Sequence, residues 1–118
     1  MVFNYPDTPR RRLSEDQEFD QYYALYLKGL ASEKGGDPDK ALDIYLYILR
    51  NYLPLGTVYY SRPAILFERK GEFSLAIQIC KQAIKVHYSR KGANLAPEEF
   101  EHRIKRLERK LLTKSIKK

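Results

Sequence analysis

The sequence predicts an all-α chain: antiparallel helical hairpins stacked as a short solenoid, with a C-terminal capping helix. Three observations lead there. First, GLASEKGGDPDKALDIYLYIL from Gly29 aligns with AILFERKGEFSLAIQICKQAI from Ala64, at a period of 35 residues. That register pairs Gly29 with Ala64, Glu33 with Glu68, Gly36 with Gly71, Ala41 with Ala76, Ile44 with Ile79 and Leu49 with Ile84. Second, apolar residues recur at three- and four-residue steps throughout, with no strand-like alternation. Third, helix start and stop residues fall between the periodic stretches. Self-similarity at this period marks a hairpin that cannot bury its apolar face alone and stacks on a neighbour, leaving a groove rather than a pocket.

The chain has 118 residues, one domain's worth, and its 43% hydrophobic and 31% charged content is that of a soluble globular protein. No apolar run approaches a membrane span, and MVFNYPDTPRRR lacks the apolar stretch of a secretory signal, so a cytoplasmic location is expected. A single cysteine, Cys80, excludes an internal disulfide and any cysteine-based metal cage.

Residues 1–13 carry Pro6, Pro9 and three consecutive arginines with little to bury, which predicts a flexible basic arm. Ser14 with Gln17 matches a capping box, and Glu15, Asp16 and Glu18 favour the positive end of a helix running to about Lys34. Phe19, Tyr22, Tyr23, Tyr26, Leu27 and Leu30 cover more than one narrow stripe of it, so this helix is expected to be contacted on more than one side. Gly35 and Gly36 terminate it, because glycine accepts the left-handed conformation of a helix C-terminus. Asp37 and Pro38 start a second helix, to about Tyr52, and Pro54 and Gly56 close the unit.

In the second unit Gly71 separates two helices. The later one, from about Phe73 to His87, places Ala76, Ile77, Cys80, Ala83 and Ile84 on one face. The small Ala76 and Ala83 mark the side that approaches its partner helix closely. After a loop over 89–96, Pro97 and Glu98 open a last helix whose Phe100, Ile104, Leu107 and Leu111 form a heptad-like stripe. A terminal helix over the open end of a stack explains so short a stripe better than a coiled coil does. Residues 14–96 are thus read as two hairpins and 97–118 as a capping helix with a basic tail.

These residues resemble the tetratricopeptide repeat. Leu25, Gly29, Ala41, Tyr45 and Ile48 fall at that family's packing positions in the first unit; Tyr60, Ala64, Ala76, Cys80 and Ala83 do so in the second, with Phe67 at its aromatic position. The resemblance covers about residues 22 to 90. Ser32 stands where an aromatic is usual, and Pro63 where the family has a leucine inside the first helix. Pro63 would kink a helix that runs through it, unless the helix starts around Ser61 and places it in the first turn, where proline is tolerated; the late start is expected and would leave 57–60 partly extended.

The resemblance implies a non-catalytic module that binds an extended peptide or protein along the first helix of each unit. That surface would present Tyr23, Tyr26, Leu30, Glu33 and Lys34, then Val58, Ser61, Ile65, Glu68 and Arg69. Of these, Tyr23, Tyr26, Leu30, Lys34, Ser61, Ile65 and Arg69 are the expected partner-binding residues, with Tyr23 and Tyr26 as anchors because rings give large contact area at low entropic cost. Leu30 and Ile65 occupy the places where a carboxylate clamp would need asparagine, so binding of a chaperone tail is not expected.

The formal charge of +7 is unevenly spread: residues 13–53 hold eight acids against four bases, and residues 54–96 seven bases against two acids. Such polarity would steer an acidic partner to the second unit or let one copy's acidic end meet another's basic end. The competing reading is nucleic-acid association through Arg10, Arg11, Arg12 and the basic residues of the last helix. Interleaved Glu98, Glu99, Glu101 and Glu108, and the lack of any zinc-finger or RNA-recognition signature, rank it second. His87 and His102 stand in different helices without a nucleophile–base motif and are expected at the surface, and no phosphate loop or metal cluster is apparent. No enzyme activity, cofactor or metal is therefore expected.

Overall fold

The computed structural model describes residues 14–90 and 92–116. The basic arm expected over 1–13 and the last two lysines of the tail lie outside the described residues. Every regular element described is a helix: α1 (Glu15–Lys34), α2 (Pro38–Asn51), α3 (Val58–Arg69), α4 (Phe73–Ser89) and α5 (Pro97–Ile116). No helix among the described residues is long and apolar enough to cross a membrane. The chain divides near Pro54 and Leu55 into two compact units, one holding α1 and α2, the other α3, α4 and α5.

In the first unit α1 packs along α2. The capping box at Ser14 is formed: Gln17 N–H donates to Ser14 Oγ at 3.1 Å, and Ser14 N–H to Gln17 Oε1 at 3.0 Å. Asp37 caps α2 by accepting from Lys40 N–H at 3.0 Å, and Pro38 opens the helix where no hydrogen bond is lost. Tyr22 and Gly29 of α1 are buried with Ala41, Leu42, Tyr45, Leu46, Ile48 and Leu49 of α2. The Tyr52 ring lies 5.8 Å from Tyr22, and its hydroxyl donates to Gln21 Oε1 at 2.8 Å.

In the second unit α3 packs on α4 and α4 on α5. Ala64, Ala76, Cys80 and Ala83 are fully buried, as the small-residue face predicts. The stripe of α5 is buried at Phe100 and Leu107 and half-buried at Ile104 and Leu111, so it is consumed within the chain. The Phe100 ring meets Tyr60 edge-on at 6.5 Å.

The α1–α2 and α3–α4 turns are built alike, 35 positions apart. Gly36 and Gly71 adopt φ values of 85° and 77°, the left-handed region glycine enters without strain. Asp37 N–H donates to Ser32 O and Glu72 N–H to Phe67 O, both at 2.9 Å, and the bonds Gly36 to Glu33 and Gly71 to Glu68 are 3.1 and 3.0 Å. These pairs close the preceding helix in the manner of a Schellman turn.

The start of α3 differs from the sequence expectation. The helix begins at Val58, not near Ser61, and Pro63 lies inside it. Ser61 N–H already donates to Thr57 O at 2.9 Å. An interior proline costs about 3 kcal/mol. The early start buries Tyr59 and Tyr60, 6% and 0% exposed, and each large apolar body so buried contributes about 1.5–3 kcal/mol. Two buried rings thus outweigh one missing hydrogen bond.

Candidate interaction surfaces

The aligned positions explain one another in pairs of sizes. Gly29 lies against the Tyr45 ring: a Cβ there would fall 2.9 Å from Cδ1 and closer still to Cε1. The aligned positions in the second unit are Ala64 and Cys80, both 0% exposed, where a methyl takes the place of the Gly29 hydrogen and a smaller side chain that of the Tyr45 ring. The same exchange changes the chemistry of the paired glutamates. Tyr45 Oη donates to Glu33 Oε2 at 2.6 Å. Cys80 offers no such hydroxyl, and Glu68 is instead taken by α5: Arg106 Nη2 donates to Oε1 at 2.7 Å, Lys110 Nζ donates to Oε2, and Arg103 stands 3.9 Å away.

The Glu68 side chain is 15% exposed. Burial pushes its carboxyl up, but hydrogen bonds and positive charge from Lys110 and Arg106 outweigh this, and it titrates below its ordinary value of 4.5. The ionised, bonded carboxylate therefore stabilises the fold above pH 4.5, and that contribution is lost as pH falls through the lowered value. Glu68→Gln should lower stability at pH 7 by about 1 kcal/mol, since Arg106 and Lys110 remain partly solvated. Denaturant melts of both proteins should converge as the pH is taken well below 4.5; a difference that persists unchanged there would contradict the assignment.

The residues expected to bind a partner lie on two helices. On α1, Tyr23 is 44% exposed, Tyr26 and Leu30 are half-buried, and Lys34 is exposed. On α3, Ser61 and Ile65 are half-buried and Arg69 is exposed. Within α1 the structure brings the aromatic residues into contact. Phe19 and Tyr23 stack with centroids 5.5 Å apart and planes 9° from parallel, Tyr23 and Tyr26 lie 6.4 Å apart, and Tyr26 leans on Tyr45 at 5.9 Å. Phe19 and Leu27, 45% and 47% exposed, extend the same face and were legible in the helical spacing, though they stand outside the family's binding positions. The α3 set makes no comparable aromatic array.

A second surface, cationic, follows α5. An open groove of about 710 Å³ is lined by Phe73 from the start of α4 and by His102, Arg106, Arg109, Lys110, Thr113 and Lys114 of α5. Lys110 Nζ and Lys114 Nζ stand 5.9 and 5.5 Å from the Phe73 centroid. Lys114 Nζ also donates to Gly71 O at 2.9 Å, placing an ammonium on a carbonyl of the α3–α4 turn. The basic spacing was visible in the sequence; Phe73 beneath it was not, because only the turn at Gly71 brings it there.

The remaining chemical candidates are occupied structurally. Burial pushes the Cys80 thiol up to about 12, leaving it no thiolate character at neutral pH. His87 is half-buried rather than at the surface, and its Nδ1 accepts from Leu95 N–H at 3.1 Å, fastening the loop before α5 to α4. No protein-family model, curated protein or solved structure matches this chain.

Proposed function

We propose that this chain is a non-catalytic protein-interaction module of the tetratricopeptide-like kind, binding a peptide or protein partner through the exposed face of α1, with the corresponding residues of α3 as a separate candidate face in the other unit. The observation that carries this reading is the α1 face itself. Phe19, Tyr23 and Leu27 recur at four-residue steps and are each nearly half exposed. Singly exposed apolar residues need no explanation, but a contiguous array of them marks an interaction surface. The Phe19–Tyr23–Tyr26 stacking holds the rings in place before binding, which lowers the ordering cost a partner must offset. The matching turns at Gly36 and Gly71 support the repeat-like character.

Tyr23→Ser combined with Leu27→Ser tests the reading by affinity capture from cell extract. The double variant should keep the wild-type helical content and melting temperature while losing the proteins the wild type retains. Capture of the same proteins in the same amounts would remove α1 from the binding surface, and a large loss of stability would show that the face is packed within the chain.

A further inference from the structure

The cationic groove along α5 is chemically unfinished. Arg106, Arg109, Lys110 and Lys114 project into it from one helix, with Thr113 between the last two. Glu68 is the carboxylate that meets this row, and it engages Arg106 and Lys110. Among the described residues Arg109 meets no carboxylate, and Lys114 is bonded to the neutral carbonyl of Gly71. Among the described residues one acid therefore faces four cations and engages two of them, Arg106 and Lys110.

We propose that this groove binds an acidic peptide segment, with one carboxylate on Arg109 and one on Lys114. Both side chains line the groove with Arg106 and Lys110, and a row of four cations met by a single carboxylate is complementary to an acidic ligand. The guanidinium of Arg109 can take a carboxylate by two parallel hydrogen bonds. The Lys114 ammonium keeps donors beyond the one used on Gly71, since it has three. Thr113 stands beside them with a hydroxyl that already donates to the Arg109 carbonyl at 3.0 Å and still has lone pairs for a peptide N–H.

Phe73 decides between a peptide and a nucleic acid. Single-stranded nucleic acids are held by base stacking on aromatic faces combined with phosphate contacts. Here two ammonium groups, Lys110 and Lys114, already stand over the ring of the groove, so a stacking base would have to compete with them. A peptide carboxylate needs only the cations.

The proposal rests on the interaction-module reading in taking a peptide as ligand, but uses none of the α1 residues. Fluorescence anisotropy with a labelled peptide of alternating Glu and Ala tests it, against the Gln–Ala counterpart and a labelled oligothymidylate of equal charge. The Glu peptide should bind the wild type and weaken as salt rises, and the Gln peptide should not bind. Arg109→Ala should weaken Glu-peptide binding about tenfold with an unchanged melting temperature, since its side chain makes no contact that holds the fold. Adding Lys114→Ala should weaken it further. The Tyr23→Ser, Leu27→Ser protein should bind the Glu peptide like the wild type, which separates failure of the groove from failure of the α1 surface. The proposal is overturned if the oligothymidylate binds as tightly as the Glu peptide, if the Glu peptide fails to bind, or if Arg109→Ala leaves its affinity unchanged.

Discussion

Leu107→Ala should cost about 2–5 kcal/mol of stability, the range for emptying a fully buried leucine site. Leu107 is 0% exposed in the middle of the α5 stripe, between half-buried Ile104 and Leu111, and α5 packs on α4. Its methyl groups are therefore lost from a site with little freedom to collapse. Thermal and denaturant unfolding measure the loss directly. Because the stripe is buried inside the chain, sedimentation should show the same oligomeric state for wild type and variant. A well-folded monomeric variant arising from a wild-type dimer would contradict this and make the stripe an interface between chains.

Gly29→Ala should be destabilising by about 1–3 kcal/mol, although alanine is the better helix former. The added methyl would meet the Tyr45 ring inside van der Waals contact, and Tyr45, 1% exposed with its hydroxyl bonded to Glu33, cannot step aside without breaking that bond. Intrinsic propensity favours alanine by about 0.8–1 kcal/mol, so a net loss of stability isolates the steric term. The opposite exchange provides an internal check in the second unit. Cys80→Tyr alone should be strongly disfavoured at this fully buried site, and, by the aligned register, pairing it with Ala64→Gly should restore part of the lost stability. A neutral Gly29→Ala variant would show that the first hairpin has slack the structure does not contain.

These effects also mark how far the sequence reaches. The helices, the capping box at Ser14, the Asp37–Pro38 start and the turns at Gly36 and Gly71 are encoded by residues adjacent in the chain, so local rules find them. The buried stripes follow from periodicity for the same reason. What escaped was decided by contacts between distant residues. Pro63 reads as a helix start until the burial of Tyr59 and Tyr60 is weighed against it. His87 reads as a surface histidine until the chain returns at Leu95 to donate to it. Glu68 reads as part of the partner-facing surface of α3, but the cations that engage it come from α5, about forty residues on.

The α1 candidates were legible as aromatic residues at helical spacing, but not their exposure. In α2 two tyrosines two residues apart divide between the two sides of the helix, Tyr45 buried and Tyr47 exposed. Which ring meets solvent depends on which side of the helix its partner occupies, and that is a property of packing.

Site-specific photo-crosslinking tests the central claim, that α1 and α3 each carry a partner-binding face, most directly. A photoreactive phenylalanine derivative replacing Tyr23, Ser61 or Ile65 should form crosslinks to a second protein, and one replacing Gln78, exposed on α4, should not. Crosslinks to a second protein from Gln78 but from none of the three α1 and α3 positions would contradict the account.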